Sequence, residues 1–111
     1  MNFNEYQQLA RRTQNPDLNQ VEQKAHALHG LAAEVGEIHS IYQKVYQGHM
    51  MDYQALEDEL GDLLWFIAET CDVCEFTLDG VAQRNIIKLR KRYPEGFDEE
   101  RSVHREFEGG K

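Results

Sequence analysis

Only two prolines, Pro16 and Pro94, interrupt this chain of 111 residues, and 77 residues lie between them. Proline breaks a helix interior because it lacks an amide proton and its ring clashes with the preceding turn. The segment between the prolines can therefore form long helices, and its apolar residues recur at steps of three and four. Strict strand-like alternation is absent from the sequence. The sequence predicts an all-α fold.

Periodicity and capping residues predict four helices. Asn2 or Asn4 can cap the first and Asp52 the third, because short polar side chains accept hydrogen bonds from the free amides at a helix start. The predicted helices cover about 3–13, 19–46, 53–74 and 79–92. The loop before Asp52 is short, so the second and third helices should pack antiparallel.

The apolar residues of the first two helices predict which faces are buried. On the first helix they are Phe3, Tyr6, Leu9 and Ala10. On the second they are Val21, Ala25, Leu28, Ala32, Val35, Ile38 (or Leu31), Tyr42 and Val45. If apolar residues remain exposed on both sides of one helix, the sequence favours contact with another subunit.

The chain length predicts one domain with a modest core. A chain of 111 residues and 13.0 kDa lies near the size at which partner chains often supply part of the core, so oligomerisation is expected. We predict a single helical domain over 1–111. Its highly charged segment 95–111 is expected to be a loose tail or to dock on a partner.

The charge and hydropathy of the chain exclude several function classes. Lys and Arg number 12 against 20 Asp and Glu, which gives a net charge of −8 and disfavours binding of polymeric nucleic acid. A small anion held through a metal remains compatible. The sequence has neither an apolar run long enough to cross a membrane nor a leader pattern at its start, so we predict a cytoplasmic protein without membrane contact.

Two short acidic units repeat 25 residues apart in the two long helices. The first holds Glu34 and Glu37, and the second holds Glu59 and Asp62. Residues three apart are surface neighbours on a helix, so each unit offers a pair of carboxylates that one hard cation can bridge. If the two helices pack antiparallel, four carboxylates can face each other. These four residues are the candidate metal ligands and catalytic groups.

A glycine precedes the second acid of each unit, at Gly36 and Gly61. Glycine in a helix interior costs about 1 kcal/mol relative to alanine, and like charges three apart repel. A bound cation would cancel the repulsion, and the missing Cβ would let another helix or a ligand approach closely. Taken singly, each unit is more simply explained as a solvated acidic turn on an exposed helix. The repetition with glycine in register favours a site.

The residue types favour magnesium, with manganese as a substitute. Hard cations prefer oxygen ligands, and no cysteine or histidine stands at ligand spacing beside the four acids. A di-iron site in a helical bundle would need Glu-x-x-His pairs, and no glutamate of this chain has a histidine three residues on. Magnesium in proteins commonly works with phosphates.

The fourth predicted helix carries a basic face that suits a phosphate ligand. Asn85, Lys88 and Arg92 recur at steps of three and four, and Tyr93 follows. Lys88 and Arg92 can clamp phosphate oxygens. The alternative is a solvated group of basic residues, which stabilises the last helical turn through the helix dipole.

These motifs resemble those of the MazG-like, all-α nucleoside triphosphate pyrophosphohydrolases. The resemblance rests on E-x-x-E, a gap of 21 residues, E-x-x-D, and then an Asn-x-x-Lys helix that ends in Arg-Tyr-Pro. It covers about residues 20–97, and the segment from Tyr6 to Thr13 is similar to the start of short, single-domain members.

The resemblance implies hydrolysis of a nucleoside triphosphate to a monophosphate and pyrophosphate, with magnesium required. It implies that the four acids are metal ligands and that Asn85, Lys88, Arg92 and Tyr93 bind the phosphates. Some relatives carry an extra acid where this chain has Ala33, which leaves the number of metals and the general base open. The implied assembly is a homodimer with a four-helix core, often paired again into a tetramer.

Two other functions remain open on the sequence. The same metal site could act on a modified nucleotide or an alarmone, because no residue of the sequence identifies a base. A non-catalytic helical module could instead bind a basic partner through its acidic face. Such a module would not need magnesium, which separates it from the enzyme.

Overall fold

The computed structural model describes residues 1–105, and its elements are helices. They are α1 (Phe3–Arg11), α2 (Gln20–Val45), α3 (Tyr53–Val73), α4 (Leu78–Arg92) and α5 (Glu99–Val103). The all-α prediction is confirmed, since residues 1–105 contain no strand. Each of the four predicted helices agrees with the structure to within two residues at either end. Over the same residues, no helix combines the length and the apolar character needed to cross a bilayer.

Polar side chains cap the starts of α1, α2, α3 and α5. Asn2 and Asn19 each form a capping box, in which the cap and the glutamate three residues on exchange hydrogen bonds with each other's backbone amides. Asp52 accepts from the amide of Ala55 and so begins α3. Helix α1 ends two residues earlier than predicted, because the Thr13 hydroxyl and amide both bond to the Ala10 carbonyl.

The chain forms two compact units, Met1–Leu78 and the part that begins at Asp79. The single domain over 1–111 therefore stays a prediction. In the second unit, the segment predicted as a loose or docked tail contains α5. Asp98 caps this helix by accepting from the amides of Glu100 and Arg101. The end of the predicted tail, 106–111, lies outside the described residues.

Helices α2 and α3 pack antiparallel, as predicted. The contacts run in opposite directions along the two helices. In chain order, residues of α2 contact residues of α3 with decreasing numbers: His26 with Glu69, Gly30 with Phe66, and Glu34 with Glu59. The short loop between the helices dictates this direction. The pair forms the frame on which the acidic residues stand.

Helix α1 is attached to the end of α3 through the carboxylate of Asp72. This carboxylate accepts hydrogen bonds from Gln7 (2.7 Å), Arg11 (2.7 Å) and Gln14 (2.5 Å). Burial alone raises the pKa of Asp72, but the three hydrogen bonds and the charge of Arg11 outweigh it and hold the pKa below its usual value. The buried Gln7 also accepts from the first amide of α4 at Leu78 (2.7 Å).

The predicted buried faces are partly wrong. On α2, Val21, Leu28, Val35 and Tyr42 are exposed, whereas Ala27 and Gly30 are buried. On α1, Gln7 and Ala10 are buried, but Phe3 and Leu9 are exposed. The reason is that α3 covers only one flank of α2, and that hydrogen bonds draw Gln7 inward. The buried apolar residues are few and mostly small: Ala10, Ala27, Ala68, Cys71, Val73 and Leu78.

Candidate metal centre

Helices α2 and α3 bring three of the four predicted acids together. One carboxylate oxygen from each of Glu34, Glu59 and Asp62 lies within 4.8 Å of the other two. The spacing of three on α3 aligns Glu59 and Asp62 on one face, and the antiparallel packing places Glu34 opposite them. Glu34 and Glu59 are half-buried and Asp62 is exposed, so the cluster stands at the surface of the helix pair.

The environment of Glu34 makes its negative charge unfavourable. A hydrogen bond with the Glu59 carboxyl, burial, and the charges of Glu59, Asp62 and Glu37 raise the pKa of Glu34 to about 7. Its buried Oε2 atom receives no hydrogen bond from residues 1–105. Glu59, whose carboxylate lies across the helix pair, is also an acceptor when ionised, so a proton or a cation between the two carboxylates would satisfy both.

The composition of the cluster fits a hard divalent cation. Three carboxylates converge, an acceptor atom is buried without a donor, and within the described chain the group includes no sulfur or imidazole ligand. Magnesium and manganese prefer oxygen ligands of this kind. The residues therefore fit the metal that the sequence predicts.

Glu37 takes a different position from the other three acids. It is exposed on α2 and is not a member of the three-carboxylate cluster. It acts on the cluster through its charge, which is the smallest of the effects that raise the pKa of Glu34. Its predicted role as a fourth ligand stays a prediction.

Gly36 and Gly61 border open space. An added Cβ would meet no atom of the described residues within 4 Å at either position. Packing within residues 1–105 therefore does not require these glycines. Their predicted purpose, close approach by a ligand or by another helix, stays a prediction.

The predicted phosphate-binding residues lie on or just after α4. Asn85 and Lys88 are exposed, and Arg92 and Tyr93 are half-buried at its end. The Tyr93 ring packs against that of Phe97 with 5.5 Å between centroids, and the Arg92 carbonyl accepts from Arg101 (3.3 Å). The spacing along one helix is as predicted, and a phosphate-binding role stays a prediction.

Trp65 packs within the described part of the chain. Its indole N–H donates to the Thr13 hydroxyl at 2.7 Å. Its ring stands nearly perpendicular to that of Phe66, with centroids 5.0 Å apart. The indole thus joins the end of α1 to α3.

Sequence reasoning assigned no site role to several residues at or near the α2–α3 interface. His26 bonds through Nδ1 to the buried carboxylate of Glu69 (2.8 Å), and Gly30 lies against Phe66. On α1, burial and the negative charge of Asp62 raise the pKa of the Tyr6 phenol, so Tyr6 is electrostatically coupled to the cluster. A signal for two of these residues was present: His26 and Gly30 precede Glu34 at successive steps of four.

Comparison with known proteins identifies a family for this chain. Residues 22–97 match the family described as the MazG nucleotide pyrophosphohydrolase domain, and this range includes all four acids and the basic face of α4. The chain is also similar to the Gene 37 protein of Mycobacterium phage L5, with 29% identity over 85 residues that cover 72% of this chain and 75% of the phage protein. No solved structure matches. The chain belongs to the MazG nucleotide pyrophosphohydrolase family.

Proposed function

We propose that this protein hydrolyses nucleoside triphosphates to a nucleoside monophosphate and pyrophosphate, with magnesium held by Glu34, Glu59 and Asp62. Glu37 is the proposed fourth acid, and manganese is a proposed substitute for magnesium. The supporting observation is that three carboxylates converge in a chain of the MazG family, and that one of their oxygens, the buried Oε2 of Glu34, receives no hydrogen bond from the described residues. The predicted cytoplasmic location stays part of this proposal.

The proposed reaction divides its tasks between carboxylates and basic residues. A bound magnesium ion would lower the pKa of water and neutralise phosphate charge. A carboxylate of the cluster accepts the proton of the attacking water, whose oxygen bonds to the α-phosphorus while the bond to the bridging oxygen breaks. Lys88 and Arg92 carry the positive charge that the leaving pyrophosphate needs, and Asn85 and Tyr93 donate to phosphate oxygens.

We further propose that two copies of the chain pair to complete a four-helix core, with a tetramer as the next level. Four exposed apolar residues of α2 support pairing because they recur every seven residues, which is the spacing of a helix-to-helix seam: Val21, Leu28, Val35 and Tyr42. In the described residues, the only large side chain that is fully buried is that of Glu69. A chain with so small a core gains stability from a second copy.

The test is product analysis on a panel of ribo- and deoxynucleoside triphosphates. Each is incubated with magnesium, with manganese and with chelator, and monophosphate, diphosphate, pyrophosphate and phosphate are separated. Metal-dependent monophosphate plus pyrophosphate supports the proposal. Diphosphate plus phosphate contradicts attack at the α-phosphorus. If no triphosphate in the panel is cleaved, the proposed substrate class is wrong, and a modified nucleotide, an alarmone or a basic partner protein must be tested instead.

A further inference from the structure

Three contact layers are stacked along the interface between α2 and α3. On α2, His26, Gly30 and Glu34 lie four residues apart, so each stands one turn beyond the last on the same face. Their partners on α3 run in the opposite direction: Glu69, Phe66, and the pair Glu59 and Asp62. The contact between glycine and phenylalanine therefore lies one turn from the acidic cluster.

Gly30 allows an approach that no other residue would permit. A Cβ built on its backbone would lie 2.1 Å from Cε1 of Phe66, 2.2 Å from Cδ1 and 2.6 Å from Cζ. Non-bonded carbon atoms normally stay about 3.5–4.0 Å apart. The Phe66 ring thus rests directly on the backbone of α2, and this contact brings the two helices close together.

The Phe66 ring is held in place by two neighbouring rings. His26 lies 5.7 Å from it and Trp65 5.0 Å, measured between centroids. Each neighbour is itself fixed by a hydrogen bond, His26 to Glu69 (2.8 Å) and Trp65 to Thr13 (2.7 Å). Because these neighbouring rings restrict the movement of the Phe66 ring, a bulkier residue at position 30 is expected to push the two helices apart.

We propose that Gly30 and Phe66 are positioning residues that set the separation of α2 and α3 at the acidic cluster and thereby its affinity for a divalent cation. The inference rests on the proposed metal centre. Glu34 belongs to one helix, and Glu59 and Asp62 belong to the other. A wider separation therefore pulls the ligand set apart, although no ligand is changed.

The proposal predicts a loss of metal affinity from a substitution that touches no ligand. Substitutions in the residues that orient metal ligands typically weaken metal affinity about 10–100-fold, and we expect Gly30→Ala to weaken Mn²⁺ binding by at least about 10-fold. Phe66→Leu should weaken it as well, because the shorter side chain leaves the helix spacing undefined. The double variant G30A/F66L should recover much of the affinity, since the new methyl group occupies space that the ring vacates.

The experiment uses the full chain and Mn²⁺ alone, with the free ion measured by electron paramagnetic resonance during titration. Circular dichroism at the same temperature shows that each variant is folded. Gln7→Ala is the stability control, because it removes hydrogen bonds with Asp72, near the end of α3, and with the backbone of Phe76 and Leu78, all away from the acidic cluster. The Gln7→Ala variant should have a lower melting temperature and an unchanged Mn²⁺ affinity. If Gly30 had only a structural role, G30A would give the same result.

The outcomes separate this inference from the proposed function. If the wild type binds no Mn²⁺, the metal centre is wrong and the positioning role falls with it. If the wild type binds Mn²⁺ and folded G30A binds it equally well, the metal centre stands and the positioning role is wrong. If G30A does not fold, the comparison of G30A/F66L with F66L decides: tighter binding by the double variant supports the inference, and equal or weaker binding overturns it.

Discussion

A carboxylate oxygen of Glu34 and one of Glu59 lie within 4.8 Å of each other across α2 and α3, although 25 positions separate the two residues in the sequence. Two carboxylates so close cannot both ionise without repulsion. The packing of the helices therefore holds an unfavourable pair in the native state. A proton relieves the repulsion at low pH, and a cation can relieve it at higher pH.

The stability of the metal-free protein should fall as the pH rises from about 4.5 to about 7. The pKa of Glu34 is about 7 in the native state against an ordinary value of 4.5, so the native state holds a proton that the unfolded chain has released. Where the native state binds more protons, the free energy of unfolding decreases with rising pH. Urea unfolding in chelator across this range measures the slope. In Glu34→Gln the slope should be smaller, and an unchanged slope would show that the pH dependence does not arise from Glu34.

Magnesium should stabilise the protein more at pH 8 than at pH 5.5. The cation and the Glu34 proton compete for the same carboxylates, and a ligand that binds only the native state raises its stability. Melting temperatures with magnesium and with chelator at both pH values test this. An equal rise at both pH values, or none at pH 8, would count against the metal centre.

Asp62→Asn should abolish hydrolysis and leave the helices intact. Changing a residue that only orients a ligand already costs about 10–100-fold in metal affinity or activity, so removing a ligand charge should lower activity by more than about 100-fold. The same holds for Glu37→Gln if Glu37 is the fourth ligand. The matched control is Asp58→Asn, an exposed acid one turn earlier on α3 and outside the cluster. Full activity of Asp62→Asn would remove it from the site.

Lys88→Ala should raise the KM for the nucleoside triphosphate and leave the helix content unchanged. A hydrogen bond to a charged group contributes about 1.5–3 kcal/mol, which corresponds to about 10–100-fold in affinity. Arg90→Ala is the control, because Arg90 is also exposed and a helix turns about 200° over two residues, to the opposite side. Equal effects of the two variants would indicate a general charge effect in place of a phosphate contact.

Asp72→Asn should lower the free energy of unfolding by about 1–3 kcal/mol at neutral pH, because an amide group would face the donors of Gln7, Arg11 and Gln14. The pKa of Asp72 is lowered, so its stabilisation is present at neutral pH and is lost as the pH falls through its native pKa, below the ordinary value of 3.8. The difference in urea midpoint between variant and wild type should therefore shrink in acid. Glu57→Gln, at an exposed position, should shift the midpoint little at any pH.

Gly36→Ala should raise the stability of the metal-free protein by about 1 kcal/mol, because alanine is the better helix former and the added Cβ meets open space. Its activity should fall if the bare backbone admits a ligand, as the sequence predicts. Thermal melting and the triphosphate assay measure the two effects. A variant that is both more stable and fully active would show that ligand approach does not need this glycine.

Much of the fold and part of the site could be predicted from local patterns. Asn2 and Asp52 cap helices as expected, since a cap depends on residues within one turn. The acids of α3 share a face because a spacing of three places them there. The buried face of α2 was predicted less well, because periodicity shows that a helix has an apolar stripe but not which neighbour covers it.

The sequence by itself determined the helices, their order, the antiparallel direction of the long pair and the acidic residue types at helical spacing. These properties follow from interactions within a few residues of the chain. The tertiary structure decided that Phe66 rests on Gly30, that His26 meets the buried Glu69, and that Glu34 stands opposite Glu59. Such contacts depend on the separation and rotation of two helices, which many side chains set together and no local pattern encodes.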